Sequence, residues 1–426
     1  MTNNIIGEVI YKHARKLFPI CRSISGEGVR ETLFYLKTIC NDLQIKSFKS
    51  GKKVFDWVIP NEWIIKDAFI LNEKGEKIIN FKTNNLHLVS YSEAVNRTMT
   101  FHELDQHLYS LPEQPEAIPY VTSYYQRTWG FCISQNQRDL MDKKGMYKVF
   151  IDSSFKKGVM NYGEIIIPGK SRKEILLSSY ICHPSLANNE LSGPSVLIEI
   201  AALIKKLNNR YTYRIIFIPE TIGSIAYIHA NLKKLQNNVV AGYVLTCIGD
   251  NNNYSFLRSR KMNSLSDRIA SGVIRHIDPK FKEYTWLDRG SDERQFCSPG
   301  VDLPVASLMR TKYGEYKEYH TSQDNLDYIS PEGLGGGFEM VRKILYVIEN
   351  FHYKPKAFFQ CEPMLGKRNL YPNLSIKTST IPLNLRNFIG YSDGTKNILD
   401  ISEDIKISPA EAVDLYFFSK KNKLIK

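Results

Sequence analysis

The sequence predicts an α/β fold built on a doubly wound, mainly parallel sheet. Between residues 161 and 353, apolar runs of strand length alternate with longer stretches whose apolar residues recur every three or four positions. Strands and helices that alternate in this way form parallel sheets covered on both faces. Two additions to this core are predicted, a β-rich segment over residues 47–160 and a short helical tail over residues 354–426.

Two predicted helices open the chain, over residues 5–45, because apolar residues recur there at helical spacing. The segment SISGEG between them is typical of a capped turn, with Ser25 and Glu27 near the start of the second helix. We expect both helices to pack on the sheet, so that residues 1–46 and 161–353 form one α/β domain.

Residues 47–160 are predicted to form an inserted β-rich domain. Runs such as KVFDWVIP, EWIIKDAFIL and KIINFKT are rich in β-branched and aromatic residues, and Asn, Gly and Lys turns separate them. The segment is an insertion because parts of the α/β domain lie on both sides of it. It would either cap the cleft of that domain or mediate dimers.

The α/β domain itself is predicted to contain five main strands and four main helices. The strand candidates are EIIIPG, EILLSSY, YRIIFIP, VVAGYVLTCIG and LPVASLM. The helix candidates are GPSVLIEIAALIKKL, SIAYIHANLKKL, SLSDRIASGVIRHI and GGFEMVRKILYVIENF.

The tail over residues 354–426 has the outline of a winged-helix module of three short helices. Ser408 and Pro409 are an N-cap followed by a proline at the first helical position. The helix that they begin, PAEAVDLYFFSKK, is acidic and apolar over most of its length, whereas DNA contacts need Arg, Lys, Asn or Gln. We therefore expect a packing or homodimerisation module and no nucleic-acid partner.

Composition and charge exclude several other classes. The chain is 43% hydrophobic and 12% aromatic, as globular proteins are. No apolar run approaches the roughly 18 residues that span a bilayer, and no secretory signal opens the chain, so no membrane partner is expected. The seven scattered cysteines indicate a cytoplasmic setting. The net charge of +13 is spread along the whole chain, as on a solvated surface.

Four polar segments lie at the ends of predicted strands or in the loops after them, and a fifth, GSDERQF, precedes the last strand. They are CHPSLANNELSG (182–193), IPETIGS (218–224), LTCIGD (245–250), GSDERQF (290–296) and YHTSQDNL (319–326). Because parallel strands end at one edge of a sheet, we expect His183, Glu220 and His320 to converge there. A hydrolytic metal site requires imidazole and carboxylate ligands. It also requires one carboxylate that is not bound to the metal and acts as the base. Taken singly, either histidine would more often be a structural residue than a metal ligand.

The order of these segments resembles the two-zinc aminopeptidase family over roughly residues 160–350. A closer resemblance, over nearly the whole chain, is to a bacterial aminopeptidase-like family with an inserted β domain and a C-terminal winged helix. The segments RSISGEGVRETL, CHPSLANNELSGP and YHTSQDNLDYIS carry it. The resemblance implies a zinc-aminopeptidase fold of the phosphorylase/hydrolase-like type. It also implies a metal-dependent amide hydrolase, acting on a peptide or an N-acyl sugar in surface-polysaccharide biosynthesis.

Carried over position by position, the resemblance implies His183 and His320 as metal ligands. Asn189 stands where those aminopeptidases have an aspartate that bridges two metals, and Thr246 stands where a further aspartate ligand is expected. A neutral amide cannot offset the repulsion between two dications about 3.5–4 Å apart. We therefore expect one zinc ion, bound by the two histidines and completed by the Asn189 oxygen, Glu220 or water, and we doubt a second site.

Glu220 is followed by Thr221, where the resembling family has two consecutive glutamates. Either a ligand role or a general-base role is open to the single carboxylate, and we favour the base, which takes a proton from water and delivers it to the leaving nitrogen. A structural carboxylate at a helix start is the alternative.

Further charged residues are candidates for support of the site. Asp324 is expected to orient the loop of the second histidine. Asp292, with Glu190 and Glu293, is a reserve carboxylate or a capping residue. Arg294 would hold a substrate carboxylate or form a structural ion pair.

Two alternatives to the hydrolase remain open. The carboxylates missing at positions 189, 221 and 246 are also what a binding or assembly protein on a catalytically degenerate aminopeptidase scaffold would show. A regulator that binds DNA through the tail is the other alternative, and it would require a steep salt dependence of DNA affinity.

Overall fold

The computed structural model describes residues 3–368, 370 and 380–426. Its strands are, in chain order, β1 (Gln44–Lys49), β2 (Lys53–Val54), β3 (Trp57–Val58), β4 (Glu62–Leu71), β5 (Lys77–Asn80), β6 (Val95–Thr100), β7 (Leu108–Tyr109), β8 (Phe131–Cys132), β9 (Met146–Lys156), β10 (Val159–Ile167), β11 (Glu174–Tyr180), β12 (Thr212–Ile218), β13 (Val239–Leu245), β14 (Ser255–Leu257), β15 (Lys282–Tyr284) and β16 (Val305–Met309). Its α-helices are α1 (Asn3–Leu17), α2 (Glu27–Ile39), α3 (Phe101–Asp105), α4 (Gln135–Asp139), α5 (Ser192–Ile204), α6 (Ile222–Asn238), α7 (Leu265–Ile277), α8 (Glu293–Phe296), α9 (Pro331–Asn350), α10 (Thr380–Gly390), α11 (Ile398–Asp404) and α12 (Pro409–Lys421). A π-helical turn over Ala187–Leu191 precedes α5.

The central sheet has eight strands in the order β1-β10-β12-β11-β13-β16-β14-β15. Its middle strands β12, β11, β13 and β16 are parallel, which confirms the predicted α/β class. The sheet as a whole is mixed, because β10 runs antiparallel to β12 and β14 runs antiparallel to β16. Residues 168–173 between β10 and β11 are too few for the dozen or so residues that a parallel crossover needs.

Helices cover both faces of this sheet, as a doubly wound fold requires. Along β11, Ile175 and Leu177 join the core that contains residues of α1, α2, α5, α7 and α9. Leu176 joins the opposite core, which contains residues of α6 and of the segment that precedes β10. This continuous burial explains why the strand is apolar at successive positions and not at alternating ones.

The segment between β1 and β10 contains a second, four-stranded antiparallel sheet in the order β5-β4-β9-β6. Two small ribbons, β2 with β3 and β7 with β8, accompany it. Residues 47–160, the predicted insertion, begin inside β1 and end inside β10, and both of these strands belong to the central sheet. The chain thus enters and leaves this second sheet through neighbouring strands of the first.

The tail forms a small core of its own around α10, α11 and α12, the three helices predicted there. Phe388, Ile401 and Val413 are each fully buried in this core. Arg268 on α7 ties the tail to the α/β domain through ion pairs with Asp400 and Glu403. No helix in the described part of the chain has the length and apolar character that a membrane crossing requires.

A buried ion-pair cluster connects three neighbouring strands of the central sheet. Arg214 on β12 is 2% exposed and donates two hydrogen bonds to the carboxylate of Glu174 on β11. It also donates to Glu164 on β10 and to the Tyr227 hydroxyl on α6, each over 2.8 Å. Removal of one partner from such a cluster leaves buried charge without compensation.

We predict that Arg214→Met lowers the free energy of unfolding by about 3–5 kcal/mol, because Glu164 and Glu174 lose their shared cation. Urea unfolding of the variant and the wild type measures the change. The exposed Arg172 provides the control, and Arg172→Met is expected to stay within about 0.5 kcal/mol of the wild type. An equal effect of the two substitutions would contradict the role assigned to the cluster.

Candidate active site

Three loops meet at one edge of the central sheet and bring three of the predicted residues together. His183 follows β11, Glu220 follows β12, and His320 lies between β16 and α9. The ring centroids of the two histidines are 5.5 Å apart, and His183 Nε2 lies 3.7 Å from Glu220 Oε2. Two imidazoles that bind one tetrahedral zinc ion at about 2.0–2.1 Å have centroids roughly 5 Å apart. The observed spacing therefore suits a shared ion.

These side chains face a common cleft with a volume of about 340 Å³. Much of its wall is aromatic and includes Trp57, Tyr120 and Tyr124, all from the segment between β1 and β10. The Tyr120 ring centroid lies 5.0 Å from that of His183 and 5.2 Å from that of His320. Such a wall excludes water and strengthens the electrostatic interactions inside the cleft.

Buried hydrogen bonds fix the orientation of His183. Its Nδ1 atom lies 2.9 Å from Glu190 Oε2, which leaves Nε2 directed toward Glu220. Arg22 Nε donates to the His183 carbonyl oxygen over 3.0 Å and lies 3.7 Å from Glu190 Oε1. Burial, and then the charge of Arg22, lower the pKa of His183 to about 3, so the imidazole is neutral, as a metal ligand must be.

Asp324 holds the loop of His320 against the loop of His183. Its carboxylate accepts the backbone N–H of Asn188 over 2.6 Å and that of Asn189 over 2.9 Å. Its own carbonyl oxygen accepts the N–H of Ala187 over 2.8 Å. Three consecutive N–H groups at the start of the π-helical turn are thereby satisfied by one residue. Burial raises the pKa of Asp324 to about 6.

Asn189 does not line the cleft, and the side chain is 1% exposed. Its Nδ2 atom donates to the Tyr180 hydroxyl over 2.9 Å, whereas Oδ1 is buried without a partner. Thr246 Oγ1 donates to the Asn189 carbonyl oxygen over 3.0 Å and also bonds to Tyr180. Thr246 stands where the resemblance leads one to expect an aspartate ligand. Its hydroxyl is instead hydrogen bonded within the protein.

Whether a metal ion fits is judged from the buried side-chain nitrogen and oxygen atoms that have no hydrogen-bond partner among the described residues. His320 Nε2 has no hydrogen-bond partner, and neither has Asn189 Oδ1. Both are lone-pair donors without a proton to bind them, so the chemistry of these residues fits a cation. In the described part of the chain, the donor atoms of His183, Glu220 and His320 are not all within 4.8 Å of one another. Side-chain rotation would have to accompany metal binding by these three residues.

A tighter group of donor atoms consists of Cys182, His183 and Glu190, whose potential ligand atoms all lie within 4.8 Å of one another. It includes the His183 Nδ1 side, which is already hydrogen bonded. Burial raises the pKa of the Cys182 thiol well above its usual range, which disfavours the thiolate that binds metal. The guanidinium of Arg22 beside Glu190 opposes a second cation there. We therefore treat this group as support for the His183 ring.

Glu220 is 21% exposed and borders the cleft. Burial, followed by the charge of Asp292, raises its pKa to about 8, and Arg294 opposes this rise. Thr221, the next residue, has a φ of 62°, which is strained for a β-branched side chain. Arg294 Nη2 donates to Thr221 Oγ1 over 2.6 Å and supports that conformation. Such strain at a cleft is typical of functional positions.

The reserve carboxylates occupy structural positions. Asp292 Oδ1 accepts the Thr221 N–H over 2.8 Å and the Ser224 hydroxyl over 2.7 Å, and so caps the first turn of α6. Glu293 accepts hydrogen bonds from Ser307 and Tyr313 on the far side of α8. Neither carboxylate lines the cleft. Of the predicted supporting residues, Arg294 does.

Sequence reasoning missed the roles of Arg22, Tyr180 and the aromatic wall. Arg22 lies in the segment FPICRSIS, and its side chain is 0% exposed. A lone arginine between apolar residues is a signal of a buried charge with a partner, but only the fold identifies that partner as Glu190. The wall residues Tyr120 and Tyr124 lie in an irregular loop, which carried no pattern of its own.

Known proteins resemble this chain over its whole length. The family model described as "Domain of unknown function (DUF4910)" matches residues 11–351, and a winged helix-turn-helix model matches residues 354–426. A relative from Clostridium acetobutylicum, named "Putative polysaccharide biosynthesis protein with aminopeptidase-like domain", is 44% identical over 400 residues, which cover 93% of this chain and 91% of the relative.

Two solved structures show the architecture. A crystal structure of a "putative peptidase" from Clostridium acetobutylicum is 40% identical and has a TM-score of 0.92, over 100% of this chain and 97% of its own. A zinc aminopeptidase from Bacillus subtilis is 14% identical and has a TM-score of 0.59, over 80% of this chain and 94% of its own. These likenesses confirm the aminopeptidase-type fold, and the winged helix-turn-helix match confirms the class of the tail.

We predict that Asp324→Asn lowers the free energy of unfolding by about 1–3 kcal/mol, because an amide group cannot accept both backbone N–H groups of the π-helical turn. Denaturant unfolding measures the change. The neighbouring Asp327 is exposed, so Asp327→Asn is the matched control and is expected to have almost no effect. If the Asp324 variant were as stable as this control, the two loops would be held together by other contacts.

Proposed function

The chain belongs to the family described as "Domain of unknown function (DUF4910)", and on that premise we propose that it is a metal-dependent amide hydrolase of the aminopeptidase kind. The observation that carries the proposal is the meeting of two imidazoles and one carboxyl group, with a spacing of 5.5 Å between rings and 3.7 Å from His183 to Glu220. The aminopeptidase-type fold supports the same reaction class.

We propose His183 and His320 as the residues that hold a single zinc ion, with the Asn189 oxygen or water completing its ligands. A zinc ion held there would supply Lewis acidity toward a water molecule and toward the substrate carbonyl. Glu220 is the proposed general base, which takes the proton of the attacking water and delivers it to the leaving nitrogen. Asp324 and Glu190 keep the two histidines in place.

The proposed substrate is a small peptide or an N-acyl group on a sugar or its precursor. The name of the Clostridium acetobutylicum relative supports a link to polysaccharide biosynthesis. We also propose a cytoplasmic setting, since the seven cysteines are free thiols. A screen of aminoacyl amides and N-acyl-sugar amides with zinc-loaded protein tests the substrate class.

A binding or assembly role without catalysis is the second candidate. It is favoured by Thr221 and Thr246, whose hydroxyls are hydrogen bonded within the protein where metal-binding carboxylates would be needed. For the tail we propose packing or homodimerisation, which the exposure of Phe417 (42%) and Phe418 (40%) on α12 supports. Neither role requires a nucleic acid.

We predict that the purified protein binds about one zinc ion and that His183→Ala and His320→Ala each abolish this stoichiometric binding, because each variant leaves only one histidine to hold the ion. Metal analysis after gel filtration measures the zinc content. His276 is exposed on α7, and His276→Ala is the control that keeps the metal. Wild-type protein that remains free of metal after incubation with zinc would favour the binding or assembly role.

We predict that Glu220→Gln reduces kcat by about 10²–10⁴-fold on any amide that the screen identifies, since glutamine cannot accept the proton of the attacking water. The zinc content of this variant is expected to equal that of the wild type. A parallel loss of zinc would assign Glu220 to the metal as a ligand, in contradiction to its role as the base.

A further inference from the structure

Arg294 places a cation in the cleft next to the proposed base. It lies in the short helix α8 and lines the same cleft as Glu220 and the two histidines. Its Nη2 atom donates to the hydroxyl of Thr221, the residue that follows Glu220. The guanidinium is thus anchored to the residue that follows the proposed base.

Arg294 forms no ion pair within the described residues, although its charge acts on Glu220 and Asp292. No carboxylate oxygen among them lies within 4.0 Å of its guanidinium nitrogens. The adjacent acids are engaged elsewhere, Asp292 with the start of α6 and Glu293 with Ser307. The Nε atom of Arg294 is buried and has no hydrogen-bond acceptor. An N–H group in that state costs free energy that an anionic ligand would recover.

We propose that Arg294 binds a substrate carboxylate, so that the cleft takes amides of α-amino acids whose carboxylate is free, such as dipeptides and N-acyl amino acids. The guanidinium presents its N–H groups in a planar fork that matches a carboxylate. In these amides the carboxylate carbon is two bonds from the scissile nitrogen. Arg294 and Glu220 line the same cleft. Arg294 would therefore hold the carboxylate while Glu220 donates the proton to the nearby nitrogen.

The wall of the cleft favours such an ion pair. Trp57 and Tyr124 line the cleft together with Arg294 and exclude water from part of it. Charge-assisted hydrogen bonds are stronger where the local dielectric constant is low. This inference rests on the proposed amide hydrolase for its reaction, whereas its binding step is tested without turnover.

The test compares two ligands that differ only in charge, N-acetyl-L-phenylalanine and N-acetyl-L-phenylalaninamide. Titration calorimetry of the full-length protein, with zinc removed by a chelator so that no turnover occurs, is expected to give an affinity about 10- to 100-fold higher for the acid than for the amide. Arg294→Gln is expected to remove this preference. Arg289→Gln, which changes an exposed arginine on the preceding loop, is expected to keep it. Zinc is left out because it would itself attract the carboxylate, whereas the preference is assigned to Arg294.

Three results would overturn the inference. They are equal affinity of the wild type for both ligands, no binding of the acid at millimolar concentration, and an acid preference that survives Arg294→Gln. The wild-type comparison decides the question even where the variant fails to fold, which its thermal unfolding curve reveals. Hydrolysis of neutral amides in preference to acids would overturn the inference and keep the proposed hydrolase. Acid-selective binding without hydrolysis of any amide would keep the inference and overturn the proposed hydrolase.

Discussion

The bond between the Asp324 carboxylate and the backbone of the π-helical turn is the interaction on which the cleft depends. Asp324 is 0% exposed and satisfies the N–H groups of Asn188 and Asn189, which no other acceptor reaches. One side of this contact carries His183 and the other carries His320. Since buried N–H groups must find acceptors, this contact holds the two loops together and with them the two histidines.

The neutral residues around this contact suit a site with little charge. Asn189 and Thr246 share hydrogen bonds with the Tyr180 hydroxyl, and all three side chains are nearly or fully buried. A buried carboxylate without a nearby cation costs several kcal/mol of effective desolvation. Replacement of the acids by an amide and hydroxyls therefore removes the charge that a second dication would have balanced.

The segment between β1 and β10 shapes the cleft as well as forming its own sheet. Tyr120 and Tyr124 reach the histidines from an irregular loop, and the Tyr120 N–H donates to the His320 carbonyl oxygen over 2.8 Å. Of the two roles expected for the insertion, a cap over the cleft is thus the one that these contacts favour. The aromatic rings give the cleft a wall of low polarity, against which the charge of Arg294 acts strongly.

Much of the architecture was determined by the sequence alone. Apolar runs such as EILLSSY must be buried on both faces, and the spacing of their neighbours fixes the alternation of strands and helices. The placement of His183 and Glu220 after such strands followed directly, because strand ends are where a parallel sheet gathers its polar residues. The antiparallel direction of β10 and the short edge strands β14 and β15 did not follow, since direction depends on connections that carry no periodic pattern.

Only the tertiary structure decided which polar groups are partners. Arg22 and Glu190 are 168 positions apart, and Asp324 and Asn189 are 135 positions apart. A sequence shows that a charge needs compensation when it is buried, but it does not show which residue provides it. The same holds for Arg294, whose unpaired Nε atom in the cleft is visible only once the neighbouring carboxylates are seen to be engaged elsewhere. Hydrogen-bond satisfaction is a property of the folded chain, whereas burial of apolar runs is already inherent in the order of the residues.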